Sequence, residues 1–317
     1  PAAADGSRAA EREELVRRLR DRRAGVGEIL AAVDALRRRS LLLAQRDVTT
    51  AIRTLGAKKA WQAAVALYAD LRTEGTAPDG VCRAATVAAC ERGSEWQAAL
   101  ALLFDGGALG SHAWQQDPRA GQAAFSAAMN ACGKGSAWEL SLLCLRVMPE
   151  FSLAPNEVCH GAAVSACARG AAPEAALGVL REALARGVGP GPVGFAAAAS
   201  ACARAQRWQQ AMGLLGELED SGGQPDAVCY SAAITACGGA ELWPRSVALL
   251  RRARNSGVVL DVAAYNAAMS ACERGHAWPW SLALLAEMPP QALEPDLISR
   301  NVAIAACGRA GQWAESL

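Results

Sequence analysis

The segment DVAAYNAAMSACERGHAWPWSLALL, residues 261–285, decides how the chain folds. Asp261 stands before a run in which Tyr265, Met269 and Cys272 recur at spacings of four and three, which places them on one helical face. Glu273, Arg274 and Gly275 then interrupt the apolar pattern. Trp278 and Pro279 open a second run, because the first helical turn tolerates a proline whose missing N–H has no intrahelical partner there. Small Ser281 and the large pair Leu284 and Leu285 supply the buried face of that run. The segment predicts two helices joined by a short turn.

The pattern recurs on both sides. Cys90, Cys132, Cys167, Cys202, Cys237, Cys272 and Cys307 form a ladder whose first step is 42 residues (90 to 132) and whose later steps are 35 (132 to 167 and onward). Trp61, Trp96, Trp138, Trp208, Trp243, Trp278 and Trp313 keep the same beat, with Pro173 in the one skipped place. Val87, Met129, Val164, Ala199, Ile234, Met269 and Ile304, each three residues before a ladder Cys, predict a core row. Two residue types keeping one period mark a repeat array. The frame gives repeats at 45–79, 80–121, 122–156, 157–191, 192–226, 227–261 and 262–296, and a truncated one from 297. The extra length of the second unit lies around 106–120, which has no helical period and reads as a surface loop. Residues 1–44 read as an Arg-rich helical extension or cap, since an end repeat needs a polar outer face. The predicted fold is all-α, a right-handed α-solenoid of helix-turn-helix repeats over 45–317.

Composition agrees with close helix packing. The chain is 52% hydrophobic but only 5% aromatic, with alanine, the strongest helix former, carrying much of the apolar content. The net charge of +1 is neutral on nucleic acid, and beyond the basic first 44 residues the balance turns slightly acidic. Any RNA affinity then depends on where the charges sit. No apolar run is long enough to span a membrane. The chain starts at Pro1 and stops at Leu317 inside a repeat, so both ends read as cut, with room for a missing import peptide or C-terminal domain. Glu11, Glu13 and Glu14 fit poorly with a transit peptide.

Helical pairs of this period, with an aromatic slot opening the first helix and a Pro-Asp close, resemble pentatricopeptide repeats. PDAVCYSAAITACG at 225–238 and DVAAYNAAMSACERG at 261–275 match best. The slot holds Phe125, Phe195, Tyr230 and Tyr265, whereas Val48, Arg83, His160 and Arg300 depart from it. The resemblance implies single-stranded RNA read one base per repeat, in organellar RNA processing, stabilisation, translation or editing, in chloroplast or mitochondrion, with RNA-processing proteins as further partners. It implies reading by the residue after the slot together with the last residue of the repeat: Thr49 with Asp79, Ser126 with Asn156, Ser231 with Asp261, and Asn266 with Asp296, Asn301 lacking its partner. By that resemblance the first and third pairs suit guanine, the second adenine and the fourth uracil. Ala84 with Gly121, Gly161 with Gly191, and Ala196 with Asp226 read as indifferent. Val81, Val158, Val193, Val228 and Ile298 match the family's base-sandwiching place.

Each of these residues has a plainer role open to it. The Asp and Asn residues suit helix N-capping. Ser231 and Asn266 suit an exposed helix surface. Arg92, Lys134, Arg169, Arg204, Arg274 and Arg309, two residues after the ladder cysteines, form a row that suits a phosphate backbone and equally a helix C-terminal dipole.

Catalytic chemistry finds no footing. The cysteines contain no CxxC pair and sit one repeat apart, which suits small buried filler rather than zinc or disulfides. His112, His160 and His276 have no partner constellation, and phosphate-binding glycine motifs are lacking. The expectation is no enzyme, no metal, no cofactor, no membrane and no small-molecule substrate. Two alternatives stay open: a protein-binding helical scaffold, and the RNA-binding part of an enzyme whose catalytic domain lies elsewhere.

Overall fold

The computed structural model describes residues 13–311 apart from 22, 39–44, 74–77, 106–113, 115, 190, 221 and 240–241. Glu11, Trp313 and most of the stretch read as a loop therefore lie outside the described residues. Every regular element described is helical: α1 (13–20), α2 (Val26–Arg38), α3 (Gln45–Ala57), α4 (Trp61–Thr73), α5 (Gly80–Gly93), α6 (Trp96–Phe104), α7 (Pro118–Lys134), α8 (Trp138–Val147) and α9 (Glu157–Arg169). Then follow α10 (Pro173–Ala185), α11 (Gly191–Arg204), α12 (Trp208–Asp220), α13 (Ala227–Gly239), α14 (Trp243–Asn255), α15 (Val262–Arg274), α16 (Trp278–Glu287) and α17 (Leu297–Arg309). The chain divides into two compact units, Pro1–Ala166 and Cys167–Leu317. In the first, α3, α5 and α7 pack in succession as one layer, with α4, α6 and α8 behind them. In the second, α11, α13, α15 and α17 do the same, backed by α10, α12, α14 and α16. No described helix is long and apolar enough to cross a membrane.

From Cys90 to Cys272 the ladder cysteine marks how its first helix ends, as Leu55 does in α3. Its carbonyl accepts the N–H five residues on: Glu95 to Cys90 at 3.0 Å, Ala137 to Cys132 at 2.9 Å, Arg207 to Cys202 at 2.8 Å and Ala277 to Cys272 at 2.8 Å. That is the six-to-one bond of a Schellman closure, which needs a left-handed residue just before the donor. Lys59, Ser94, Ser136, Ala171, Gln206 and His276 fill that place with φ between 53° and 64°. A Cβ normally opposes this conformation, so the same strain recurs in these six turns. Each second helix then starts at Trp or Pro173. Ala64, Ala99, Ser141, Ala211, Ser246 and Ser281, three residues in, are fully buried because only small side chains fit there.

The tryptophans lock neighbouring pairs together. A Cβ on Gly93 would lie 2.4 Å from Trp61 Cδ1, one on Gly135 2.1 Å from Trp96 Cδ1, and one on Gly275 2.2 Å from Trp243 Cδ1. Each ring thus occupies the space above a glycine at the end of the next first helix.

Three features add to the expectations or depart from them. First, α2 stands one period before α4 (26 to 61, 38 to 73), and its buried Ile29, Ala32, Val33 and Leu36 match Ala64, Leu67, Tyr68 and Leu71. Residues 1–44 therefore carry a helix in repeat register, hidden in sequence because it lacks the Cys and Trp markers. Second, the surface-loop reading fails at Trp114, which is fully buried, and α7 begins at Pro118, capped by Asp117. Part of the insert thus adds one turn to the front of α7. Arg83, which breaks the aromatic slot, places its guanidinium 5.1 Å from the Trp114 ring and donates from Nε to Tyr68 Oη at 3.2 Å and from Nη2 to the Asp105 carbonyl. The insert supplies the ring that the slot lacks. Third, Ile304 is 51% exposed although its counterparts Val87, Met129, Val164, Ile234 and Met269 are fully buried. It lies on the last described helix, with no described helix following.

Candidate nucleic-acid interface

The first helices α5, α7, α9, α13, α15 and α17 start at an acidic or amide cap. Asp79, Asp226, Asp261 and Asp296 accept the N–H three residues on, from Cys82, Cys229, Ala264 and Ser299, at 2.7–2.9 Å; Asn156 does the same for Cys159 at 3.0 Å. The capping reading of these residues is thus realised. It occupies one oxygen of each carboxylate and leaves the other, and it occupies the single side-chain oxygen of Asn156 and leaves its NH2.

The fourth pair is the one in direct side-chain contact. Asn266 Nδ2 donates to Asp296 Oδ1 at 3.2 Å, and Ser299 Oγ donates to Asn266 Oδ1 at 2.6 Å. A carboxylate only accepts, so Asn266 must turn its NH2 toward Asp296 and its oxygen toward Ser299. The amide is held in one orientation. The Ser299 N–H, which donates to Asp296 Oδ1 at 2.8 Å, holds the Asp296 carboxyl below its ordinary range. All three residues belong to first helices or their caps, and Asn266, 9% exposed, sits between α15 and α17.

The other pairs are arranged differently. Thr49 Oγ1 donates to the Gln45 carbonyl at 2.8 Å and is joined through the Cys82 thiol to the helix that Asp79 caps. Ser126 Oγ donates to the Ala123 carbonyl at 3.0 Å, while Asn156 Nδ2 donates to Gln122 Oε1 at 3.1 Å. Ser231 is half-buried on α13, and Asp261 and Asn301 are exposed. Ser299, Cys82 and Gln122 are third members that pairwise reasoning missed. A polar or thiol side chain just before the aromatic slot was the available signal for the first two.

The sandwich positions give the clearest pattern. Val158, Val193, Val228 and Ile298 are 62%, 69%, 53% and 60% exposed, each in the first turn of a first helix, and Val81 is half-buried. Val228 and Ile298 each follow a capping carboxylate by two residues.

The cation row reaches backward. Lys134 Nζ donates to the Glu91 carbonyl at 3.0 Å and pairs with Glu91 Oε1 at 3.1 Å. Arg204 Nη1 donates to the Ala168 carbonyl at 2.8 Å, and Arg309 pairs with Glu273 at 3.2 Å. The Arg92 and Arg274 guanidinia lie beside Gly56 and Gly238. Each of these five sits over the C-terminal turn of the preceding first helix, complementing that helix's dipole rather than only its own. Arg169 holds the same register and is exposed. Among the described residues, no three His, Cys, Asp or Glu side chains gather as metal ligands. All eleven cysteines are buried and none forms a disulfide.

Stacked helical pairs with capped first helices define a repeat-array protein. Neither a family model nor a curated protein sequence matches the chain. Solved structures do. The pentatricopeptide repeat protein PPR10 from maize superposes with a TM-score of 0.75 at 16% identity, over 93% of this chain and 40% of that one. PPR10 in complex with an 18-nt psaJ RNA element gives 0.71 at 17%, over 93% and 42%. The chain thus has the pentatricopeptide-repeat fold and spans about two fifths of those chains.

Proposed function

We propose that this chain belongs to the pentatricopeptide repeat proteins and binds single-stranded RNA, reading successive bases from successive first helices. One observation carries the reading: an aliphatic side chain stands exposed at the same register in four repeats, at Val158, Val193, Val228 and Ile298, the last two beside a capping carboxylate. Scattered exposed valines need no explanation, but a periodic set does. Flat bases stack on such side chains while their edges meet polar groups. Asn266 and Asp296, with Ile298 beside them, are the most complete such site. Thr49 with Asp79, Ser126 with Asn156, and Ser231 with Asp261 take the corresponding bases, and Asn301 begins the next. Val81, Val158, Val193, Val228 and Ile298 flank the bases. Arg92, Lys134, Arg169, Arg204, Arg274 and Arg309 lie along the backbone. The role in this reading is organellar RNA processing, stabilisation, translation or editing, without catalysis by this stretch.

Fluorescence anisotropy with single-stranded RNA, the matching duplex and single-stranded DNA tests it. Binding that prefers unpaired RNA, with a log–log salt slope of about −3 to −4 for roughly five phosphates, supports the reading. Equal affinity for all three, or none, refutes it. Salt-insensitive capture of peptide instead assigns the fold to a protein scaffold.

A further inference from the structure

The repeat at 80–121 has no reader in sequence, since Ala84 and Gly121 offer a base no side-chain hydrogen bond. The structure puts something else there. A groove of about 750 Å³ opens between α3, α5 and α7, of a size that holds a small organic ligand. Ala84, Ala88 and Ala123 are among the small side chains that line it, and the two hydroxyls there, Thr50 and Thr54, donate to the Arg46 and Ala51 carbonyls of their own helix, which leaves a largely apolar surface with little to discriminate base edges. Arg53, Lys58, Arg92 and Arg119 line it as well, and Asp117 is the lone anion among them. Asp117 spends one carboxylate oxygen on the Ala120 N–H, where it caps α7.

The charges come from three different helices, which makes the groove more than a basic helix face. Arg53 lies on α3, Arg92 on α5 and Arg119 on α7, and all three are exposed. Arg119 is there because the insert lengthens α7 by its first turn, so the extra residues bring in a cation that the ordinary frame lacks. Guanidinium forks match phosphate oxygens in pairs, and four cations against one carboxylate leave the groove strongly positive.

We infer that this groove is an anchor for one nucleotide of single-stranded RNA: its phosphate is clasped by Arg53 and Arg119 and its base rests unread on the alanines. The inference rests on the RNA-binding reading above and changes one part of it, because a repeat indifferent to sequence becomes a major source of affinity. Shape and charge admit any base, so the anchor sets binding strength and leaves selectivity to the polar pairs.

The test compares Arg53→Ala/Arg119→Ala with wild type, with Arg53→Lys/Arg119→Lys, and with Arg146→Ala on α8 as an exposed control. Binding to homopolymeric RNAs is followed against salt, after circular dichroism has verified equal helicity. The anchor predicts an equal loss on every homopolymer and a salt slope shallower by about 1.4, roughly 0.7 for each of two lost phosphate contacts on a single strand. The lysine pair keeps the wild-type slope. An unchanged slope in the alanine pair, or one no different from Arg146→Ala, overturns the anchor while leaving RNA binding in place. Wild type that binds no RNA fails the functional reading and the anchor together. Loss of poly-glutamate binding with the RNA slope intact would assign the groove to an acidic peptide.

Discussion

Gly275→Ala and Gly213→Ala are the same chemical change and should move stability in opposite directions. Gly213 lies inside α12 with nothing within 4 Å of an added Cβ. Alanine there gains about 1 kcal/mol of helix propensity. Gly275 has φ −83° and ψ 13°, so alanine meets no backbone strain. The obstacle is the neighbouring repeat: the new Cβ lies 2.2 Å from Trp243 Cδ1 and 3.0 Å from Nε1. Trp243 has little room to withdraw, because the Trp280 ring stands 6.1 Å away, centroid to centroid. Overpacking of this kind costs about 1–3 kcal/mol. The two variants should therefore differ by about 2–4 kcal/mol, with Gly275→Ala the less stable. Repeat arrays do not always unfold in one step, so native-state hydrogen exchange across α14–α16 is the suitable assay, supported by thermal midpoints. A Trp243→Ala background supplies the cycle: there, Gly275→Ala should cost nothing. If Gly275→Ala stabilises wild type as Gly213→Ala does, the tryptophan lock between repeats is wrong.

Ala171→Gly should stabilise by about 1–2 kcal/mol, read as a raised thermal midpoint, because Ala171 sits at φ 53° in the turn before α10. Trp114→Ala should cost about 3–5 kcal/mol in the first unit, since it empties a fully buried site and strips the Arg83 guanidinium of its ring; urea titration measures it. Burial pushes the Cys90, Cys132 and Cys272 thiols up to about 11, and Cys144 and Cys229 to about 12, from an ordinary value of 9.0. Between those values the folded chain holds more protons than the unfolded one, so stability should be full below pH 9 and fall as pH rises toward 11 and 12. Urea midpoints under reducing conditions from pH 8 to 10.5 test the sign. Ser299→Ala frees the Asn266 amide to rotate, so it should weaken base preference at one nucleotide more than total affinity, as competition binding would report.

The fold could be read because its markers are structural. The ladder cysteine is a small, fully buried side chain at the residue whose carbonyl closes a first helix (Leu55 holds that place in α3), and the tryptophan is the wedge between pairs, so both recur with the packing. The site was less legible. Asn266 and Asp296 emerged as a pair because both side chains are polar and face one gap, whereas Thr49 and Ser126 turn their hydroxyls onto their own helices. Sequence spacing does not say which way a hydroxyl rotates. Ser299 escaped notice because its role needs the amide of a neighbouring repeat. Trp114 escaped because an isolated ring in a Gly-containing stretch has no period to betray it. The cation row reads in sequence as a phosphate stripe or as a complement to its own helix ends, and its contacts with the previous repeat appear only when the pairs are stacked.

Selection from a random single-stranded RNA pool, run in parallel with wild type and Asn266→Thr, tests the account most directly. A trough of first helices reading one base each predicts that the enriched motifs differ at a single position, uracil giving way to guanine, with the flanking positions unchanged. Identical motifs, differences spread along the site, or no enrichment by either protein would contradict it.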